Sequence, residues 1–126
     1  MEVPSHSISI DLARNLVDVR LVGLVTPEHA VWIGEEVREA VRSLGDGVGE
    51  HLTLYDASAV LVVPTATIAL MQQAWVNPEV RALWARKVAY VASTALCKLQ
   101  ANRLREGMAH IEVFDNRDAA LEWLLA

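Results

Sequence analysis

The side chains best suited to proton transfer or metal ligation are four histidines, His6, His29, His51 and His110, and no two are close in sequence. His51 and His110 each open a stretch that reads as a strand, which would bring them to the same end of a parallel sheet. A metal there needs a third ligand and the sequence offers none, so no metal site is assigned. Asp11, Asp18, Asp56 and Asp115 are the strand-associated acids. Asp56 and Asp115 follow apolar runs, at the strand ends where open α/β sheets place ligands. As a pair they could do general acid–base work, although acids at strand ends also cap turns. The single cysteine, Cys97, has no partner for a disulfide or a Cys-x-x-Cys pair and reads as a small buried hydrophobe.

Gly45-Asp46-Gly47-Val48-Gly49 is rich in glycine, but it follows a helical pattern and lacks the Gly-Lys-Ser/Thr of a phosphate cradle. A nucleophile elbow, a His-Glu-x-x-His pair and a dinucleotide fingerprint are all missing from the sequence. No catalytic residue and no cofactor is therefore assigned, and a non-enzymatic protein is expected. Trp32, Trp75 and Trp84 are the candidates for a partner surface, since aromatic side chains near helix edges favour interfaces.

The elements that must position these residues follow from periodicity. Residues 5–11 and 16–22 alternate polar and apolar around Arg14-Asn15, which predicts an antiparallel hairpin. One face carries His6, Ile8, Ile10, Val17, Val19 and Leu21; Ser7, Ser9, Asp18 and Arg20 lie on the other, which is expected to be wet. Thr26-Pro27-Glu28 is a helix start, with a capping hydroxyl, proline at the first position and an acid in the first turn. Ala30, Ile33, Val37, Ala40, Val41 and Leu44 then recur at helical spacing, and Glu35, Glu36, Arg38, Glu39 and Arg42 fill most of the remaining surface.

His51 to Asp56 predicts a third strand, followed by a connection ending at Pro64. A second helix starts at Thr65, which serves as its cap, and buries Ile68, Met71 and Trp75. Asn77-Pro78 breaks it and opens a further helical piece. Lys87 to Ala92 and His110 to Phe114 are the fourth and fifth strands, and Ser93-Thr94 and Asp115-Asn116 cap the helices that follow each. The order β-β-α-β-α-β-α-β-α predicts a mixed five-stranded α/β sheet, an N-terminal antiparallel hairpin followed by parallel strands.

The chain has 126 residues, of which 53% are hydrophobic and 21% charged, so a single domain over 1–126 and no disorder are expected. That apolar fraction slightly exceeds the usual 45–50% and points to a buried interface, hence a homodimer. A net charge of −5 argues against nucleic acid as a partner. The N-terminus shows no secretory pattern, and the longest apolar run, Ala59 to Pro64, is far below the ~20 residues of a membrane span. A cytoplasmic protein without membrane insertion is expected.

Several stretches resemble the STAS domain, named for sulfate transporters and anti-sigma factor antagonists, and more closely its SpoIIAA-like group of stand-alone bacterial proteins. They are Leu21-Val22-Gly23-Leu24-Val25-Thr26-Pro27-Glu28, Leu52-Thr53-Leu54-Tyr55-Asp56, Lys87-Val88-Ala89-Tyr90-Val91 and the C-terminal run from Val113 to Leu124. The resemblance implies helices mainly on one face of the sheet and a role in protein–protein regulation, with the protein partner unknown. In anti-sigma factor antagonists the helix after the third strand begins with an Asp-Ser-Ser-Gly-like turn whose second serine is phosphorylated. Here that stretch reads Pro64-Thr65-Ala66-Thr67, so the acceptor position falls on Ala66, and Thr65 becomes the candidate phosphoacceptor only with a slip of one residue.

Three functions are expected in turn. The first is a regulatory or protein-interaction module. The second is a carrier of a small apolar or lipid-like ligand, since the SpoIIAA-like group is similar in fold to the CRAL-TRIO lipid carriers; Ile68, Met71 and Trp75 are its candidate cavity. The third is a small enzyme using acids at strand ends. A cavity beneath the second helix favours the carrier, a solid core with a flat patch the interaction module, and a cleft of convergent titrating groups the enzyme.

Overall fold

The computed structural model describes residues 5–60 and 62–126. Met1 to Pro4 and Leu61, which belong to the N-terminal and Ala57–Pro64 stretches read above, lie outside the described residues. Strands β1 (Ser5–Asp11) and β2 (Leu16–Val22) pair antiparallel, with Ile8 opposite Val19 and Ile10 opposite Val17. Asn15 turns this hairpin in the left-handed region, at φ 52°, a conformation asparagine tolerates better than other residues with a Cβ.

Helix α1 (Pro27–Arg42) starts where its capping box of signals placed it: the Thr26 side chain accepts from the His29 N–H at 3.2 Å, and Pro27 opens the first turn. Its buried Ile33, Val37 and Val41 meet Val17 and Val19 of β2, each such side chain contributing about 1.5–3 kcal/mol. Then follow β3 (Leu52–Ala59), α2 (Thr65–Trp75), the single turn α3 (Pro78–Arg81), β4 (Lys87–Val91), α4 (Ala95–Leu104), β5 (Ile111–Phe114) and α5 (Arg117–Leu125). The sheet order is β1-β2-β3-β4-β5, and β2 through β5 are parallel.

Because the order never reverses, right-handed crossovers bring α1, α2 and α4 to the same side of the sheet. Thr53, Tyr55 and Ala57 of β3 point to that side. Leu52 and Leu54 point to the other, where α5 covers them with Ala120 and Leu124. Helices therefore lie mainly on one face, with α5 alone opposite.

Three local expectations change. First, β3 continues to Ala59 instead of ending at Asp56, since its parallel pairing with β2 runs on past a register shift to join Val22 with Ala59. Second, Thr65 does not cap α2: Pro64 holds the cap position without a side-chain bond, and Thr65 is exposed. The buried hydroxyl is that of Thr67, which donates to the Val25 carbonyl at 2.9 Å. Third, the face expected to be wet is exposed at Ser7, Ser9 and Arg20, but Arg117 of α5 lies over Asp18.

Candidate functional site: an apolar cavity under the helices

The parallel strands and the three crossover helices leave a cavity of about 280 Å³ between them. Ile68, Met71 and Trp75 of α2 line it from above, and Tyr55 and Tyr90 line it from the sheet. Its opening owes much to one side of α1. Ala30 and Gly34, four residues apart, leave room where larger side chains would fill the space, and Arg38 follows one turn later. The Arg38 guanidinium folds back over Gly34, so a methyl group there would lie 3.2 Å from Arg38 Nη1. The volume lies near the lower end of the roughly 300–1,000 Å³ common for small-molecule sites.

The polar side chains in this lining include Arg38, Thr53, Tyr55, Tyr90, Gln100 and His110. Tyr55 and Tyr90 are directly opposite in the β3–β4 register, and their rings stack at 4.9 Å with an interplanar angle of 14°. Trp75 lies 6.0 Å from the Tyr90 ring. Tyr90 is only 6% exposed, and its hydroxyl is buried without a hydrogen-bond partner. Burial pushes the Tyr55 hydroxyl up to about 12, partly offset by the Arg38 guanidinium. Burial, then Tyr55 and Cys97, push Tyr90 well above its ordinary value. Burial also raises the Cys97 thiol. These groups are thus neutral donors near pH 7 and not bases or nucleophiles. Among the described residues no ion pair or hydrogen bond engages the Arg38 guanidinium.

The tryptophans do not share one surface. Trp75 and Trp84 both line the cavity, and Trp84 stacks on His110 at 4.4 Å with Arg81 at 5.3 Å from its ring. Trp32, 56% exposed, instead stands edge-on to His6 at 4.8 Å. There the Glu36 carboxylate accepts from His6 Nε2 at 2.8 Å, and His6 Nδ1 meets His29 Nε2 at 2.8 Å. A neutral His6 donating to Glu36 accepts from His29, which leaves His29 Nδ1 as the buried acceptor without a partner. Burial and the neighbouring His6 lower the His29 pKa, with Glu36 opposing them.

The strand-end residues are placed as follows. His51 is fully buried just before β3, where its Nδ1 accepts from the Gly49 N–H at 3.1 Å. His110 precedes β5, with β4 between the two. Among the described residues no group of three or more His, Cys, Asp or Glu is placed to hold a metal ion.

Asp56 and Asp115 do not form a pair: Asp115 is bound to Lys98, while Asp56 shares Arg117 with Asp18. Arg117 Nη1 donates to Asp18 at 3.1 Å and to Asp56 at 3.2 Å, and the Ser58 hydroxyl donates to Asp56 at 2.6 Å. Burial would raise the Asp56 carboxyl, but the Ser58 hydroxyl and N–H and the Arg117 guanidinium hold it below the ordinary range. Hydrogen bonds to Asp18 in turn raise Arg117. The cluster is ionised and mutually satisfied, which suits a clasp for α5 better than an acid–base pair.

Arg38, Tyr55 and Tyr90 are the site residues that periodicity missed. Arg38 was grouped with the charged surface of α1, although its spacing of four from Gly34 and eight from Ala30 marks a stripe of small residues ending in a cation. A tyrosine at the fourth position of each of two adjacent apolar strands was the other available signal.

Among the described residues no helix is long and apolar enough to cross a membrane. Comparison with protein-family models and with curated protein sequences finds no match. The architecture is similar to the crystal structure of an uncharacterized DUF3478-family protein with a SpoIIAA-like fold from Shewanella loihica PV-4. The two share 15% sequence identity and a TM-score of 0.71, over 98% of this chain and 97% of that one. At that identity the likeness speaks for the architecture alone, and it does so over nearly the whole length: the chain has a SpoIIAA-like fold.

Proposed function

We propose that this chain is a non-enzymatic, STAS-like regulatory module that works by holding a small apolar ligand in the cavity under α2. The observation that carries the reading is the 280 Å³ space itself, lined by Ile68, Met71 and Trp75 where a solid core would have favoured a purely surface-acting module. The Tyr55 and Tyr90 hydroxyls titrate far from neutrality, and the strand-end acids are bound by Arg117 and Lys98, which speaks against acid–base chemistry by these groups. The similarity of the SpoIIAA-like group to lipid carriers supports the same reading. A second copy of this chain is the proposed protein partner, on the strength of the apolar excess in composition. Light scattering at micromolar concentration that gives the mass of one chain removes that part.

The test is binding of N-phenyl-1-naphthylamine, an uncharged apolar fluorophore, to the full chain. Saturable binding that quenches tryptophan emission is expected, and it should fall at least about tenfold when Ala74→Leu fills part of the cavity. No saturable binding, or binding unchanged in a folded Ala74→Leu variant, overturns the proposal.

A further inference from the structure

The cavity is not uniformly apolar. The Tyr90 hydroxyl is buried and meets no hydrogen-bond partner among the described residues, an arrangement costly enough that such groups are rare in native interiors. Tyr55 lies face to face with it. Arg38 lines the same cavity, with its guanidinium beside Gly34, and meets no carboxylate among the described residues, although the chain is acidic overall and α1 carries Glu35, Glu36 and Glu39 around it. Two hydroxyls and a planar cation without a carboxylate, lining one apolar space, match one kind of occupant.

We infer that the ligand is a monocarboxylic acid with an apolar body, its carboxylate set between the Arg38 guanidinium and the Tyr55–Tyr90 hydroxyl pair. The body lies against Ile68, Met71 and Trp75. A carboxylate supplies acceptors for both the guanidinium and Tyr90, and its single charge balances the single unpaired cation. An alcohol could satisfy Tyr90 but leaves Arg38 without a counter-charge. This inference rests on the proposed ligand-binding function and adds the head group.

The experiment displaces N-phenyl-1-naphthylamine from the full chain with decanoate or with 1-decanol, in the parent and in Arg38→Met and Tyr90→Phe variants. Decanoate is expected to bind about tenfold more tightly than decanol, the scale of one charge-assisted contact. Arg38→Met should abolish that preference while leaving decanol within about twofold, and Tyr90→Phe should weaken decanoate roughly fivefold. Because Arg38 makes no ion pair or hydrogen bond among the described residues and Tyr90→Phe keeps the ring, cooperative thermal melts are expected to show both variants folded. Equal affinity for the two compounds, or a preference that survives Arg38→Met, overturns the head-group inference while the apolar site stands. Failure of the parent to bind the fluorophore removes both.

Discussion

The two faces of the sheet are built from the same strands and are finished in different ways. Under α5 the packing is closed: Leu16, Leu52, Leu54, Ala89 and Val91 meet Ala120 and Leu124, and the polar groups at the rim, Asp18, Asp56, Ser58 and Arg117, satisfy one another. Under α1, α2 and α4 there is a cavity, and among the described residues the Tyr90 hydroxyl and the Arg38 guanidinium there have no hydrogen-bond or ion-pair partner. One helix closes its side completely while three leave a gap on theirs, so helix number does not decide packing. What decides it is residue size: α1 presents Ala30 and Gly34 to the gap, and the only fully buried residue of α2 is Thr67. The cavity lies only on the side of α1, α2 and α4, although that side also holds the largest buried cluster, with Val17, Val19 and Val60 fully covered.

That contrast can be broken most strongly at Leu54. Leu54→Ala, at a fully buried position on the α5 side, should cost about 3 kcal/mol in denaturant unfolding. Met71→Ala, which only enlarges an existing space, should cost less than half of that. Equal losses would mean that the two faces are packed alike. Next in size is Arg117→Gln, which leaves the two partly covered carboxylates Asp18 and Asp56 without a cation. About 2 kcal/mol should be lost, less than for a fully buried pair because the arginine side chain retains 27% exposure. The variant's deficit relative to the parent should shrink in acid. The lowered Asp56 carboxyl contributes stability that is present above the unfolded value near 3.8 and lost as pH falls through its folded one.

Tyr90→Phe should move the other way. Removing a hydroxyl that has no partner is expected to raise the stability of ligand-free protein by about 1 kcal/mol, and a loss instead would show that the hydroxyl is paired. The smallest effect is expected from pH. His29, His51 and His110 all have pKa values lowered chiefly by burial, so the folded chain holds fewer protons than the unfolded one below the ordinary histidine value. Their stabilising contribution is complete above about pH 6.5 and declines as pH falls below it. Unfolding midpoints at pH 7.5 and 5.5 should show the decline, and His29→Gln should remove part of it.

Local grammar made most of the fold legible. Alternation marked β1 and β2, the Thr26-Pro27-Glu28 start marked α1, and Asn116, whose side chain accepts from the Ala119 N–H at 2.8 Å, marked α5. Ile68, Met71 and Trp75 could be grouped by helical spacing, but periodicity does not say whether the space beneath them is filled. The hidden features all depend on distant residues meeting. His6 reaches His29 and Glu36 from another element, and Tyr55 meets Tyr90 only through the register of two parallel strands. The side that α5 covers was hidden for the same reason, since the strand pattern of β3 is apolar on both faces and does not say which helix takes which.

The Arg117–Asp18 contact joins residues 99 positions apart, and that separation bears on how the protein is made. A ribosome delivers β2, β3 and β4 together with the helices of the open side before α5 exists. For that interval Leu52, Leu54, Ala89 and Val91 have no helix over them and are free to stick to other nascent chains. Docking of α5 therefore has to wait until strands made much earlier are in place.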